Sequence, residues 1–503
     1  MIPIFSTLNM MQQALLVQQE AIQTTGHNIS NANTEGYSRQ RVNLTSWLPY
    51  PAVGINAAGG AGQIGTGVNA DSIVRIRDQF VDQQVRDNSN QNSYWSAVND
   101  AYTQMQDIIN EPTDTGISSV LDGFWQSLQD LAGNSGTSGT GTVVLQNGKE
   151  VADTFNSIAQ SLGQVQNNLN KQITDNTDQI NSYADQINAL NKEIGAQEAN
   201  GLVTNDLYDQ RDNLVDQLAQ LVNVKVSTVK SGGNPSPLAD GKYTIEIVDK
   251  DGNSFSPPAV LVDGAALTNT HLQTQITGAD TSAPSVQMSL VNLDGSPAVS
   301  GTLTNMSGKL QGIIDSYSID YPSVLKSLDN MASALANAFN TAYEASAGYD
   351  SAKGTFFLGT GSGTDAGTVT AANIHVNDNL QGSDVTSAAS GAPSGDNTSA
   401  TAMANVIAAN SYDVDGTGSS MTLKNYLEGL IGQIGVNAQA AGQFMDNTQT
   451  MLQAAQNQQQ SVSGVSLDEE MTNLIQYQQS YSAAAKVVNT LNTMLDTLIN
   501  QMG

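Results

Sequence analysis

The sequence contains no cysteine and is poor in aromatic and charged residues. Without thiols there is no disulfide framework and no metal or redox site of the kind that cysteine provides. Aromatic residues make up 5% of the chain and charged residues 13%, about half of the usual charged fraction. Asparagine, glutamine, serine, threonine and 45 glycines fill the difference. A chain of 503 residues still has material for about two to four domains with cores.

Basic residues and long apolar runs are also scarce. The chain carries 18 basic and 47 acidic side chains, a net charge of −29, which disfavours attraction to nucleic acid or to an anionic membrane. No apolar run approaches the roughly 20 residues of a membrane span. The N-terminal sequence lacks the basic start and small-residue cleavage site of a secretory signal. These absences alone predict a cytoplasmic protein with no nucleic-acid partner and no membrane insertion.

Motifs of enzymes and cofactor sites are missing from the sequence. No Walker loop, dinucleotide fingerprint, nucleophile elbow or Ser/His/Asp arrangement is present. His27, His271 and His375 lie far apart, and none has a second histidine at ligand spacing. We therefore expect no catalytic residue, no cofactor and no metal site.

Two acidic stretches have simpler explanations than catalysis. The first, on a predicted helix, contains Asp206, Asp209, Arg211 and Asp212. Such spacing is more typical of a solvated face or a local ion pair than of the paired carboxylates of a glycosidase. The second, residues 468–470, follows Ser466, and acidic residues behind an N-cap complement the helix dipole.

Both ends of the chain carry apolar residues repeated every seven positions, the pattern of a helix with one packed seam. The N-terminal row consists of Leu8, Leu15, Ile22 and Ile29. The C-terminal rows consist of Leu467, Leu474, Tyr481, Val488, Leu495 and Met502, with Tyr477, Ala484, Leu491 and Leu498 three positions on. Residues 1–50 and 471–503 each have zero net charge, so copies of these ends can pack without repulsion. The rows predict either two amphipathic helices on a globular core or ends that pair with each other or with neighbouring subunits.

The interior predicts long helices with a β-rich insertion. Helical periodicity extends over residues 151–200, and further helical patterns cover about 71–110, 116–132, 206–221, 307–345 and 423–460. Residues 242–255, KYTIEIVDKDGNSF, alternate apolar and polar side chains before an Asp251-Gly252 turn, as in a β-hairpin. Composition indicates a flexible loop over 133–142 and leaves 346–400 as either a loop-rich insertion or a few short strands.

The predicted fold class is mainly α with an inserted β-rich domain. The chain is expected to form an elongated rod of several domains, with its N- and C-terminal helices paired in a coiled-coil-like core. The predicted parts are a terminal helical core (1–45 with 465–503), a long-helix rod domain (60–224 with 303–464), a β-rich outer domain (225–302) and a possible loop-rich or small outer subdomain (346–400).

Residues 27–44, HNISNANTEGYSRQRVNL, closely resemble the signature of bacterial flagellar axial proteins, the family of rod, hook and hook-associated subunits. The motif residues are Asn28, Asn31, Asn33, Gly36, Tyr37 and Arg39. Asparagine tolerates the left-handed backbone of helix ends and turns, glycine lacks a Cβ, and tyrosine offers an apolar body for a packed layer. Blocks at 64–86, 205–226 and 466–499 resemble the hook-associated branch of the family in the same order.

The resemblance implies a structural, non-enzymatic subunit of a ring-like layer where the flagellar hook meets the filament. It implies export through the flagellum's own type III channel without a cleaved signal, and hence an extracellular location instead of a cytoplasmic one. Implied partners are hook subunits, a second junction protein, further copies of the chain, and a cytoplasmic export chaperone at the C-terminal helix. The terminal rows would stay disordered until neighbours bury them. The predicted assembly interface consists of Leu8, Leu15, Ile22, Ile29, Leu474, Tyr477, Tyr481, Val488, Leu491, Leu495 and Leu498.

Three other interpretations compete with this one. A hook or distal-rod subunit shares the terminal motif, although the Arg39-Gln40-Arg41 run and the long middle helices favour the hook-associated branch. A wall hydrolase carried on a flagellar subunit would need a cleft lined by carboxylates. A cytoplasmic coiled-coil scaffold would form a stable dimer through the terminal rows.

Overall fold

The computed structural model describes residues 4–47, 65–109, 116–134, 138–278, 284–298, 301–360, 367–393 and 395–501. Within these residues the chain is mainly α-helical with small β-sheets, which confirms the predicted fold class. The N-terminal helix α1 (Ile4–Ser30) and the C-terminal helix α10 (Leu467–Gln501) lie side by side. They run antiparallel, because Asn28 near the end of α1 bonds to Glu470 near the start of α10. We call α1 and α10 the terminal helix pair.

Long helices form the middle of the molecule. In chain order they are α2 (Gln79–Ile109), α3 (Ile117–Gly133), α4 (Ser138–Glu198), α5 (Asn205–Leu221), α6 (Lys309–Asp315), α7 (Tyr321–Glu344), α8 (Thr398–Ala408) and α9 (Leu423–Ser463). The 61 residues of α4 extend over about 90 Å at about 1.5 Å per residue. Helices α2 and α9 pack antiparallel along their lengths, and a π-helical turn, Ser316–Asp320, joins α6 to α7. No helix of the described residues is long and apolar enough to cross a bilayer.

The strands of the described residues form four antiparallel groups. They are β1 (Gln40–Ser46), β2 (Val68–Arg75), β3 (Val224–Val229), β4 (Lys242–Val248), β5 (Ser254–Asp263), β6 (Thr268–Asn269), β7 (His271–Thr277), β8 (Ser285–Val291), β9 (Phe357–Leu358) and β10 (His375–Val376). A four-stranded sheet has the order β3-β4-β5-β6, and β1–β2, β7–β8 and β9–β10 are two-stranded. The alternation predicted for β4 is confirmed from Tyr243 to Ile247, since Tyr243, Ile245 and Ile247 are buried against α4 and the core, but it fails at the two ends of the strand, where Lys242 and Val248 are also buried.

One continuous core runs through the middle helices and the four-stranded sheet. Four phenylalanines meet in it with ring centroids 4.8–6.2 Å apart, and each ring is fully buried: Phe124, Phe339, Phe356 and Phe357. Aromatic pairs at these distances add stability beyond the apolar area they bury. Four of the nine phenylalanines of the chain therefore lie where three distant segments join.

Two local expectations were wrong. The helical pattern assigned to 71–110 begins as strand β2, because residues 68–75 pair with β1 before α2 starts at Gln79. The flexible loop assigned to 133–142 is partly helical, since α4 begins at Ser138. Its glycine Gly141 permits close packing rather than flexibility: a Cβ there would lie 2.0 Å from the backbone oxygen of Gly382.

Residues 346–400 contain the short pair β9–β10, a 3₁₀ turn (Gly382–Asp384) and the start of α8. Their buried side chains, among them Val369, Ile374 and Val376, belong to the main core. Of the two alternatives for this region, short strands within tight turns describe it better than a loose insertion. The division of the chain into inner and outer domains stays a prediction.

Candidate assembly surface

The predicted C-terminal rows lie on the less exposed side of α10, yet most of their members are only half-buried. Leu474, Tyr477, Val488, Leu491 and Leu495 are half-buried, Tyr481 is 39% exposed and Ala484 is buried. The side chain of Leu498 lies outside the described part of the structure. Within the single chain this row is thus incompletely covered.

The predicted N-terminal row is not the most buried side of α1. Leu8, Leu15, Ile22 and Ile29 are half-buried, whereas the fully buried side chains are Val17, Ala21, Thr24, Thr25 and Asn28. The reason is that α1 packs against α10 and also against the β1–β2 ribbon. A heptad row alone did not reveal that second contact.

Large apolar side chains remain exposed on two flanks of α10. Met471 and Ile475 form one flank, and Met471 is 51% exposed; Leu467, the first member of the row itself, is 49% exposed. Val487 and Met494 form the other, and Met494 is 53% exposed. At about 100° per residue these flanks lie on roughly opposite sides of the helix, with the half-buried row between them. Exposed apolar stripes of this kind are typical of surfaces that contact other proteins.

The turn after α1 ties the terminal helix pair to the middle of the molecule, and Asn28 is its centre. The Asn28 carboxamide donates to the backbone oxygen of Gln40 at 2.8 Å and accepts from the Gln40 N–H at 2.9 Å. It also donates to the Glu470 carboxylate at 3.1 Å and accepts from the Tyr37 hydroxyl at 2.8 Å. With 1% of its surface exposed, Asn28 joins α1, β1 and α10 through four hydrogen bonds.

Arg39 makes the second connection between the turn and α10. Its guanidinium lies 2.7 Å from Glu469 and 2.9 Å from the buried Glu470, and its backbone N–H donates to Ser463 at 2.9 Å. The acidic residues explained above as helix caps therefore also bind Arg39, while Ser466 accepts from the Glu469 N–H at a long 3.5 Å. We call residues 27–40 with 463–470 the terminal joint.

The remaining motif residues occupy the turn itself. Gly36 has φ of +78°, a backbone conformation that favours glycine, and a Cβ there would lie 3.1 Å from the Asn213 side chain. Both the backbone conformation and the limited space therefore favour glycine at this position. Tyr37 is half-buried, and burial together with Asp206, Asp209 and Glu470 raises its pKa. Asn31 donates to the His27 backbone oxygen at 3.1 Å. The left-handed backbone expected for Asn28, Asn31 and Asn33 was wrong: Asn28 is helical, and its carboxamide rather than its backbone freedom is what the fold uses.

Asp209, Arg211 and Asp212 of the acidic stretch on α5 are buried, which corrects the expected solvated face, and Asp206 alone of the four is exposed. Three arginines from the segment after β1 meet this helix: Arg75 lies 2.7 Å from Asp209 and 2.8 Å from Asp212, Arg77 lies 2.8 Å from Asp212, and Arg86 lies 2.5 Å from Asp216. Arg75 also pairs with Asp240. Sequence reasoning considered ion pairs only within the stretch, whereas the partners come from β2, its following loop and α2.

Burial and charge act in opposite directions on these carboxylates. Burial alone raises the pKa of the Asp212 carboxyl, but Arg77, Arg75, Arg211 and Arg86 together hold that pKa well below its usual range. For Asp209, burial raises the pKa, and Arg75 with the Ser38 N–H offsets only part of the rise. Asp209 also accepts from the Ser38 N–H at 3.1 Å, so the cluster is continuous with the terminal joint.

Asn28 belongs to a repeated device that sequence reasoning missed. Three other helix asparagines bond both the N–H and the C=O of one strand residue at 2.7–2.9 Å: Asn181 with Leu272, Asn191 with Tyr243, and Asn340 with Phe357. We call this arrangement an asparagine clamp. It gives the high asparagine content a function, because each clamp docks a strand on a helix without leaving backbone groups unpaired.

The fold and the terminal joint define a class of protein in which the N- and C-terminal helices pair with each other beside a middle region of long helices. Residues 456–502 match the family described as flagellar basal body rod FlgEFG protein C-terminal, and residues 102–357 match the flagellar hook-associated protein FlgK helical domain. A solved structure, the flagellar hook junction protein FlgK from Burkholderia pseudomallei, matches with a TM-score of 0.60, covering 76% of this chain and 100% of that one. At 17% identity this likeness shows the fold alone.

Full-length relatives define the family more narrowly. Flagellar hook-associated protein 1 of Bacillus subtilis is 39% identical over 99% of this chain and 98% of the relative. The proteins of the same name from Escherichia coli and Salmonella typhimurium are 26% and 25% identical over 98% of this chain. The chain belongs to the flagellar hook-associated protein 1 family, and its relatives are structural proteins of the flagellum.

Proposed function

We propose that this chain is a structural subunit of the layer between flagellar hook and filament, and that it assembles through its terminal helix pair. The observation that carries the proposal is the exposure of large apolar side chains on both flanks of α10. These flanks belong to a part of the chain with no net charge, in a molecule whose net charge is −29. Copies can therefore meet there without the repulsion that separates the rest of their surfaces.

The position of the two flanks favours contacts that continue from copy to copy. A single self-complementary patch closes into a dimer, whereas two different patches on opposite sides produce rings or helical layers. Burying one large apolar side chain contributes about 1.5–3 kcal/mol. Several such side chains per copy offset the entropy of ordering the helices. The half-buried row of α10, with its exposed flanks, is the segment that a cytoplasmic export chaperone would cover before assembly.

The location and partners follow from the same proposal. Export through the flagellum's own type III channel without a cleaved signal places the subunit outside the cell, and a chain free of cysteine has no thiol to oxidise there. Hook subunits would bind on one side of the layer and a second junction protein on the other. The role is structural rather than catalytic.

Immunogold labelling of isolated flagella tests the proposal. We expect a single narrow band where hook meets filament. Label along the hook or rod would move the chain to another axial position, the alternative favoured by the match of residues 456–502 to rod proteins. Absence of label from every flagellum would contradict the proposal and favour a cytoplasmic scaffold.

A further inference from the structure

A polar cleft of about 830 Å³ lies beside the terminal joint, between the turn after α1, the second half of α5 and the end of α9. Seven carboxamide side chains line it: Asn33 from the turn, Asn213, Gln217 and Gln220 from α5, and Gln456, Gln459 and Gln460 from α9. The glutamine-rich end of α9 is a sequence feature that the assembly rows do not explain. The cleft therefore has two facing walls of the same chemistry.

The arginines around the cleft are all neutralised, and the exposed carboxylate of Glu35 has no ion pair with a described residue, which argues against an anionic ligand. Arg39 pairs with Glu469, and Arg86 pairs with Asp216. Arg77 pairs with Asp82 and Asp212, which are its neighbours outside the cleft. No arginine of the described lining is left without a carboxylate to attract a phosphate or an acidic peptide.

The carboxamides suit a polypeptide backbone. Each offers donors and an acceptor, the same groups that a peptide unit needs. Within this fold the four asparagine clamps already use carboxamides to hold extended strands. Gln217 bonds to Asn213 and Gln459 bonds to Asp82, whereas Gln220, Gln456 and Gln460 make no side-chain hydrogen bond to any described residue.

We propose that this cleft receives an uncharged, extended segment of a second copy of the chain, held by the free carboxamides. The inference rests on the proposed function, which places copies side by side. A second copy is the occupant that fits because two chains of net charge −29 can approach closely only through uncharged segments, and the cleft offers uncharged hydrogen-bonding groups. The cleft would thus add specificity to contacts that the apolar flanks of α10 make stable.

Site-specific photo-crosslinking on intact flagella tests the inference. A benzophenone amino acid replaces Gln460 on one wall or Gln220 on the other, and flagella are irradiated and run on a denaturing gel. Matched controls place the same group at Gln458 on α9 or Gln210 on α5, which are exposed glutamines of the same helices outside the cleft. We expect a band of doubled mass several-fold stronger from both cleft positions, with a crosslinked peptide from the same chain.

The outcomes separate this inference from the proposed function. Three results would overturn the inference: crosslinks only within one chain, crosslinks only to a different flagellar protein, or crosslinks of equal strength from the control positions. In each case the proposed function would still be supported if the labelled band appears on the flagella. Failure of the unsubstituted chain to reach any flagellum would overturn both. A further result is that both cleft variants fail to enter flagella that admit both controls, while keeping the circular dichroism and melting of the wild type. That result would mean that the cleft must be free for assembly, and it would support the inference.

Discussion

The middle of the molecule and the terminal helix pair are built from similar helices but are covered to very different degrees. In the middle, Phe124, Phe339 and Phe356 are fully buried in one continuous core. In the terminal pair the row through Leu474, Val488 and Leu491 is only half-buried, and Met494 is more than half exposed. We therefore expect the middle to fold within one chain and the terminal pair to need additional surface from neighbours.

The way the two regions are joined extends the contrast. The terminal joint consists of hydrogen bonds and ion pairs around Asn28 and Arg39, with little apolar contact of its own. Polar contacts of this kind fix the orientation of the terminal helix pair relative to the middle of the molecule, but they bury little apolar surface. The four predictions below test whether the middle is self-sufficient and whether the terminal pair depends on the joint and on neighbours.

The largest effect is expected from Leu491→Asp, which places a charge in the half-buried row of α10. Burying an unpaired carboxylate between assembled helices costs several kcal/mol, so incorporation into flagella should be abolished. Circular dichroism and the main melting transition of the purified chain should change little. The matched control is Asn492→Asp, the adjacent exposed position, which should incorporate normally. Normal junctions built from Leu491→Asp would show that this row is not an assembly seam.

The second prediction concerns the middle. Phe339→Ala removes a ring that contacts Phe124, Phe356 and Phe357, and such truncations cost about 3–5 kcal/mol. Calorimetry should show the main transition shifted to clearly lower temperature. Asn337→Ala, an exposed change two residues away, is the control and should leave the transition in place. A small shift for Phe339→Ala would mean that the middle does not depend on one core.

Asn28→Ala should affect the terminal joint and spare the middle. The change leaves the N–H and C=O of Gln40 without their side-chain partner and leaves the Glu470 carboxylate with Arg39 alone, and each buried group left unsatisfied costs about 1–3 kcal/mol. Hydrogen exchange should accelerate in α1, β1 and the start of α10, with the core phenylalanine region unchanged. Asn31→Ala, which loses only two local bonds, one to the His27 oxygen and one from the exposed Thr34 hydroxyl, should exchange as the wild type does. Faster exchange throughout the chain would contradict a separate joint.

The same contrast explains how far sequence reasoning reached. Periodicity predicted α4, α5, α7, α9 and α10 and the alternation of β4, because those patterns depend on neighbours within a few residues. It missed that residues 71–75 form a strand. The partner strand, β1, lies some tens of residues earlier in the chain, so no local pattern reveals the pairing. It also took Gly141 as a sign of a flexible loop, because the close approach of Gly382 is a long-range contact that the local sequence does not show.

At the candidate site the residue types were predictable, but their bonds were not. Composition showed that asparagine is abundant, yet nothing local indicates that Asn28, Asn181, Asn191 and Asn340 each hold a strand residue. Likewise, the charged stretch of α5 did not reveal that its partners are arginines more than a hundred residues earlier in the chain. Side chains that connect distant segments carry no periodic signal.

The smallest effect is expected from the pH dependence of Asp209, which links the ion cluster to Ser38 of the joint. Burial raises its folded-state pKa, so its contribution to the free energy of unfolding is fully present below the unfolded value of about 3.9 and is lost as pH rises through the folded pKa. Asp209→Asn keeps an acceptor for the Ser38 N–H and removes the titration. Between pH 4 and neutral pH, the wild type should therefore lose stability relative to Asp209→Asn as the pH rises, a change measurable by urea denaturation.

Asp212→Asn is the matched control for that measurement, because its shift has the opposite sign. The folded-state pKa of Asp212 is lowered, so its contribution is present above the unfolded value of about 3.9 and is lost only at more acidic pH. Relative to Asp212→Asn, the wild type should show no slope between pH 5 and 7 and a loss of stability below pH 4. The pH ranges in which Asp209 and Asp212 affect stability do not overlap. Equal slopes of stability against pH for the two variants would therefore mean that the cluster titrates as one unit, and that the joint is not separable from the middle.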